Sequence, residues 1–218
     1  MLEYLILSTI KPANEKGKMR TKTINSRTYP RHLFLEGILR RLEKDVNPYI
    51  LLIHKHAAET MSVTGSPEII GNWALLRMVL PPLYATAKAI PNISYDDAES
   101  NENSLVRELM DTLEVPCPAL VIEMYRHSLM HGDSPRGIVV NGLRASWSLS
   151  IGSMGHFAHS GVIHIDIEVL YRDLIAYLNA QIEEAKSAGE LIEMPGDAIF
   201  TQKAAEHIVT EMTLLHEE

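Results

Sequence analysis

The sequence predicts a mostly α fold: a helical bundle, then a small antiparallel β-hairpin or meander inserted before closing helices. Three observations carry this. Hydrophobic residues make up 46% of 218 positions, enough for a sizeable core. That core is drawn from Leu, Ile, Val, Ala and Met, with aromatics at only 6%, a composition that leans helical rather than all-β. Strict alternation of apolar and polar residues, the strand signature, is confined to residues 138–169.

The elements follow in order. Residues 1–10 read as a short strand or a helical turn, and 11–31 as a polar, basic loop or arm. Helix begins at His32, where Leu35, Ile38, Leu39 and Leu42 fall at helical spacing, and Pro48 punctuates its end. Ile50–Met61 reads as a second helix. Ser66-Pro67-Glu68 is a helix start: a capping Ser, a Pro suited to the first helical position, and a Glu at the positive end of the dipole. The helix it opens, Glu68–Ile90, is apolar nearly all round, as a central buried helix should be, and Pro81–Pro82 should kink or split it.

Residues 91–103 are acidic and polar and read as an exposed loop. Ser104–Leu113 is a short amphipathic helix, and Pro118 starts another over Ala119–His131, with Gly132 in the C-terminal glycine position. Ile138–Val140 and Leu143–Ile151 form a hairpin around the tight turn Asn141-Gly142. A loop with Gly and His follows over Gly152–Gly161. Val162–Val169 is a third strand, with Ile163, Ile165 and Ile167 on one face and His164, Asp166 and Glu168 on the other. Helix returns over Glu168–Lys186 with the stripe Leu170, Leu174, Tyr177, Leu178 and Ile182, and Ala198–Leu215 makes a final amphipathic helix. No repeat or linker is evident, so a single domain over 1–218 is expected: arm 1–31, bundle 32–132, sheet 138–169, closing helices 170–218.

The formal net charge of −8 argues against a chain that binds polyanions over its whole surface. The charge is uneven, however. Lys11, Lys16, Lys18, Arg20, Lys22, Arg27 and Arg31 face only Glu15, while the tail carries acids from Glu183 through Glu190 to Glu218 against Lys186 and Lys203. Arm and tail can pair with each other or with a second copy, the arm can touch nucleic acid, or it is a solvated loop. The lone Cys117 excludes an internal disulfide framework and fits a reducing compartment; it reads as a small packing residue rather than a reactive thiol. No convincing signal peptide and no apolar run of membrane-spanning length are present, and a cytoplasmic protein with no membrane partner is expected. There is no Gly-rich phosphate loop, nucleophile elbow or HExxH helix, so kinase, P-loop, hydrolase and zincin chemistry have no support, and no cofactor is called for.

The concentrated chemistry is on the helix Cys117–His131. At about 100° per residue, His127 lies about 100° from Arg126, His131 about 140° and Glu123 about 60°. Val121, Ile122, Tyr125 and Leu129 take the opposite side. Arg binds phosphate bidentately, and His gives or takes a proton near neutral pH; Glu123, four residues before His127, can hold a histidine in one tautomer. Together these groups suit phosphodiester cleavage. The plainer alternative is that Arg and His complement the helix dipole and that Glu123 and Arg126 form a surface ion pair. His54, His56 and Glu59 suggest a metal set, but on a helix His54 and His56 point away from each other; His156 and His159, with His164, could ligate a metal, but no nearby Cys, Asp or Glu completes a recognisable set, and solvated or partly buried histidines are the default for both.

The run Arg126-His-Ser-Leu-Met-His131 resembles the R-x4-6-H motif of the HEPN superfamily, in which a polar residue usually follows the arginine. The continuation through Pro135, Trp147 and Leu170–Leu178 looks like a group of bacterial HEPN-like proteins that carry a YRHGLxH…P segment. The match spans residues 66–180, its specific part six residues. The resemblance implies a helical, commonly dimeric domain, in many members a metal-independent ribonuclease and in others a silent binding module. Carried over, Arg126 binds or polarises the scissile phosphate, His131 acts as general base or acid on the ribose 2′-OH or the leaving oxygen, and His127 is a polar accessory, with Glu123 beside it. The partners implied are RNA, a second copy of the chain and a cognate regulatory protein. The sheet after the motif departs from a minimal bundle of that family. A silent binding or dimerisation module, and a domain binding a small ligand or metal through its His-rich loop, are the alternatives the sequence leaves open.

Overall fold

A computed structural model describes residues 21–23, 27–66, 71–124, 137–152, 154–194 and 198–200. The chain divides into two compact units, Met1–Tyr29 with Glu193–Glu218, and Pro30–Ile192. In the first, strand β1 (Thr21–Thr23) lies antiparallel to a strand over Ala198–Phe200, with Thr21 opposite Phe200 and Thr23 opposite Ala198. Two expectations change here. Part of the arm is strand: β1, and β2 over Arg27–Pro30. The start of the expected final helix is strand as well. Residues 1–20 and the rest of that helix, 201–215, lie outside the described residues.

The second unit is mostly helical. Helix α1 (Arg31–Arg41) runs without a break through a π-wound turn, Leu42–Val46, into α2 (Asn47–Thr64), all joints staying right-handed. Pro48 was expected to end the helix. Instead it sits in the first turn of α2, directly after the π turn. Proline lacks an N–H and its ring crowds the carbonyl four residues back, Lys44; a widened turn just before it accommodates both. Leu35, Ile38, Leu42, Val46, Ile50 and Ile53 form one buried stripe along this run. Beyond Ile53 no residue of α2 is buried, and Gly65, at φ 74°, ends it with its N–H on the Met61 carbonyl at 3.0 Å.

Helix α3 (Asn72–Lys88) is the buried central helix that the sequence predicts, with Leu75, Leu76, Val79, Leu80 and Leu83 inside. It begins after Gly71 rather than at Glu68; the expected start at Pro67–Glu68 lies outside the described residues. Pro81–Pro82 do not split it. Both prolines lie inside α3, Pro81 exposed and Pro82 buried, and the helix continues through them to Lys88.

The expected loop 91–103 contains helix α4 (Tyr95–Ser100), capped by Ser94, whose hydroxyl accepts the Asp97 N–H at 3.1 Å. Helix α5 (Glu102–Thr112) buries Val106, Leu109 and Met110. Helix α6 (Pro118–Met124) packs on α5, while α3 packs on α5 and on α7 (Ile167–Ala188).

The sheet has four strands: β3 (Ile138–Val140), β4 (Leu143–Ser150), β5 (Phe157–His159) and β6 (Val162–Asp166). The Asn141-Gly142 turn has both φ angles positive, 50° and 79°, and pairs Val140 with Leu143 as expected of a tight hairpin. The strand order is β3-β4-β6-β5, and the central pair β4–β6 is parallel. An all-antiparallel sheet was expected. Alternation reports which face a side chain occupies, not which way the neighbouring strand runs. The third strand also ends at Asp166, and Ile167–Val169 open α7. That helix buries Leu170, Leu174, Leu178 and Ile182, four members of the expected stripe, and leaves Tyr177 half-buried. A strand, β7 (Leu191–Met194), follows it, and the pair to β1 is β8.

Arg31, expected in the solvated or nucleic-acid-binding arm, is instead only 6% exposed. It donates to the Ala89 carbonyl at 2.7 Å, to Glu190 at 2.7 Å and to Gln181. It ties the start of α1 to the ends of α3 and α7. Of the basic arm and acidic tail, Arg31 and Glu190 therefore do pair. Among the described residues no helix is long and apolar enough to cross a membrane.

Candidate functional site

Helix α6 is entered through two residues with left-handed backbone, Glu114 at φ 57° and Cys117 at φ 51°. Neither is glycine, so the turn depends on its surroundings to hold. Val115 N–H bonds the Met110 carbonyl at 2.9 Å, and Leu120 N–H the Cys117 carbonyl at 2.9 Å. The helix buries Val121, Ile122 and Met124 and exposes Glu123. Glu123, of the candidate polar face, is toward water, whereas Met124, only about 20° from the wheel position of His131, is buried with the apolar side chains. Arg126, His127 and His131 lie outside the described residues. Of the four candidate side chains, the structure thus places Glu123 alone, and the set is not assembled in it.

A second polar constellation escaped the sequence reading. The β4–β6 register sets Ser148 opposite His164 and Ser150 opposite Asp166. His164 is 5% exposed, with Nδ1 3.0 Å from the Ser148 hydroxyl and Nε2 3.0 Å from that of Ser150. Phe157 stacks on its ring, centroids 4.4 Å apart and planes 13° from parallel. Asp166 has no solvent exposure. Its carboxylate accepts N–H bonds from Gly152 at 3.3 Å, Met154 at 3.0 Å and Val169 at 3.2 Å, so it caps α7 and holds the preceding loop at once. Its own N–H donates to His156 Nδ1 at 3.1 Å.

The electrostatics follow from these contacts. Burial pushes the Asp166 carboxyl up, but the N–H groups of Val169 and Met154, the Ser150 hydroxyl and the Gly152 N–H stabilise the anion more, and the net direction is below its ordinary 3.8. For His156 burial is the largest influence; it outweighs the attraction of Asp166, Asp173 and Glu114 and, helped by the neighbouring His164, lowers the ring below its ordinary 6.5. Asp166 is saturated with donors and His164 is enclosed between hydroxyls, so this network locks strands, loop and helix together and offers no open general base.

Among the described residues no group of three or more His, Cys, Asp or Glu side chains is placed to hold a metal ion. His54, weighed with His56 and Glu59, instead pairs with Glu168 at 2.8 Å. His159 is exposed on β5. The signal that was available for the missed network is the run Ser148, Ser150 and His164, Asp166 at alternate positions, with Asp166 three residues before Val169 at a helix start. Comparison with family models, with characterised proteins and with solved structures gives no match.

Proposed function

We propose that the chain is a HEPN-like protein that cleaves RNA without a metal ion, with Arg126 and His131 as the reacting pair, His127 and Glu123 as accessories, and a homodimer as the working form. The observation that carries the proposal is the orientation of α6. Its apolar residues are buried and its acidic residue faces water. The sequence then continues with Arg-His-Ser-Leu-Met-His, in which Arg126 and His127 fall within about 60° of Glu123 on the helical wheel and His131 about 80° from it.

In this reading Arg126 forks onto the non-bridging oxygens of the scissile phosphate. His131 takes the proton of the ribose 2′-OH as that oxygen attacks phosphorus, or supplies one to the departing 5′ oxygen. DNA, lacking the 2′-OH, is no substrate. The test is cleavage of a varied RNA panel by the purified protein in EDTA, comparing wild type with Arg126→Ala and His131→Ala. Cleavage by the wild type alone supports the reading. An intact panel, or variants as active as wild type, removes it.

A second reading, a catalytically silent helical dimerisation module, draws on α2. Leu51 is 61% and Leu52 59% exposed, and no residue beyond Ile53 in that helix is buried. Apolar exposure on an unburied helix suits association with a second copy.

A further inference from the structure

In one place outside α6 the backbone dictates the protonation state of a titratable ring. His156 Nδ1 receives the Asp166 N–H at 3.1 Å. A ring nitrogen that accepts from an amide carries no proton, so His156 is neutral with its proton on Nε2. That Nε2–H is buried and has no hydrogen-bond partner among the described residues. The same Asp166 grips the chain just before His156 through its carboxylate, at Gly152 and Met154. Gly152, Met154 and His156 are therefore fastened to one residue, the first two through its side chain and the last through its main chain.

We propose that this fastening is a proton-operated latch: a proton on His156 Nδ1 turns acceptor into donor against the Asp166 N–H, breaks that bond and loosens the hold of Asp166 on His156, Met154 and Gly152 together with the start of β5. The groups facing the ring are Asp166 at the end of β6, His164 within β6, Asp173 on α7 and Glu114 in the turn before α6. The three carboxylates favour the cation; burial and His164 oppose it, burial being the largest influence, and the closed latch holds the ring below its ordinary value. Glu114 lies on the turn that leads into α6, so the charge appears within electrostatic reach of the helix that carries the proposed chemistry.

The linkage fixes the size of the effect. With the latch closed, burial holds the ring below its ordinary value; opened to water, the ring is released from that burial. Between the depressed and the ordinary value the open-to-closed ratio rises about tenfold per pH unit as pH falls, and above the ordinary value it is flat. The experiment uses the full chain. Long-range ¹⁵N NMR of the histidine rings reads tautomer and titration, while hydrogen exchange at the Asp166 and Met154 amides, divided by the intrinsic rate at each pH, reads opening. Expected are an Nε2–H tautomer at pH 8, a midpoint below 6.5, and protection at both amides that falls along that slope while amides in the middle of α3 keep theirs. His156→Gln, whose side-chain carbonyl accepts from Asp166 at any pH, is expected to abolish the step. An Nδ1–H tautomer, a midpoint at or above 6.5, or amide protection indifferent to pH in the wild type overturns the latch whether or not the variant folds.

Discussion

Replacing Asp166 by Ala removes more than a helix cap. The carboxylate is wholly buried and accepts three backbone N–H bonds, one from α7 and two from the loop before His156. Loss of a helix cap costs about 1 kcal/mol. The two loop donors then lose a charged acceptor; both bonds are part-buried, so each loss costs about 1 kcal/mol, the low end for an N–H left unpaired. Water entering the space left by the side chain recovers part of this, so at most about 3 kcal/mol of stability is expected to go. Asp166→Asn should cost less, because the amide oxygen still serves two of the donors while its NH₂ opposes the third. Urea unfolding followed by circular dichroism measures both, provided the slope against urea is unchanged. The pH dependence adds an independent check. The folded carboxyl lies below its ordinary 3.8, so the stability it confers is present in full above that value and is lost as pH falls through the folded value. The gap between wild type and Asp166→Asn should therefore narrow below pH 3.8. A cost under about 0.5 kcal/mol for Asp166→Ala would refute the reasoning, since an ordinary exposed cap loses that much.

Arg31→Met is expected to destabilise the chain by about 3 kcal/mol, because it strips the buried Ala89 carbonyl, Glu190 and Gln181 of a shared donor; denaturant unfolding of the single variant and of Arg31→Met with Glu190→Leu checks it, the pair recovering part of the loss. Arg126→Ala and His131→Ala are each expected to abolish RNA cleavage in EDTA with the helical content unchanged. The His156 latch predicts that stability falls as pH drops below 6.5 and levels off below the folded value, a limb absent from His156→Gln in unfolding curves taken across that range.

Much of the helical frame was legible because it rests on local spacing. The stripe Leu170, Leu174, Leu178, Ile182 reappears as the buried side of α7, and Asn141-Gly142 makes the turn its backbone angles permit. What was not legible depends on partners distant in sequence or on a local accommodation. Pro48 read as a stop because the rule for proline assumes a regular α turn before it, and the π turn over Leu42–Val46 removes that assumption. Residues 95–100 read as loop because they are polar, although Ser94 with Asp97 three positions on was a capping signal in plain view. The parallel β4–β6 pair has no local signature at all. At the candidate site, the exposure of Glu123 beside buried Val121 and Ile122 follows from the wheel, while the burial of Met124, about 20° from His131 on it, does not. His164 and Asp166 were expected on the polar face of a strand, yet both are buried, and they are tolerated there because each finds hydrogen-bond partners.

The two functional readings part at α2. Ile50 and Ile53 anchor its first half, and Leu51, Leu52 and, further along, Val63 are exposed within one arc of about 120° on the other side. Apolar side chains on a helix that continues past its own core cost solubility unless something covers them, so a second copy along this face would stabilise the assembly without altering the monomer fold. Leu51→Glu with Leu52→Glu tests this, because both side chains already face water and the substitution leaves the buried stripe intact. The expected result is a shift from dimer to monomer in sedimentation, with helical content preserved. If cleavage of RNA is lost along with the dimer, the site needs both copies and the homodimeric nuclease stands. If the wild type never cuts and only the association changes, α2 is the working surface and the chain is a dimerisation module. A wild type that is monomeric at micromolar concentration, with or without the glutamates, removes the dimer from both readings.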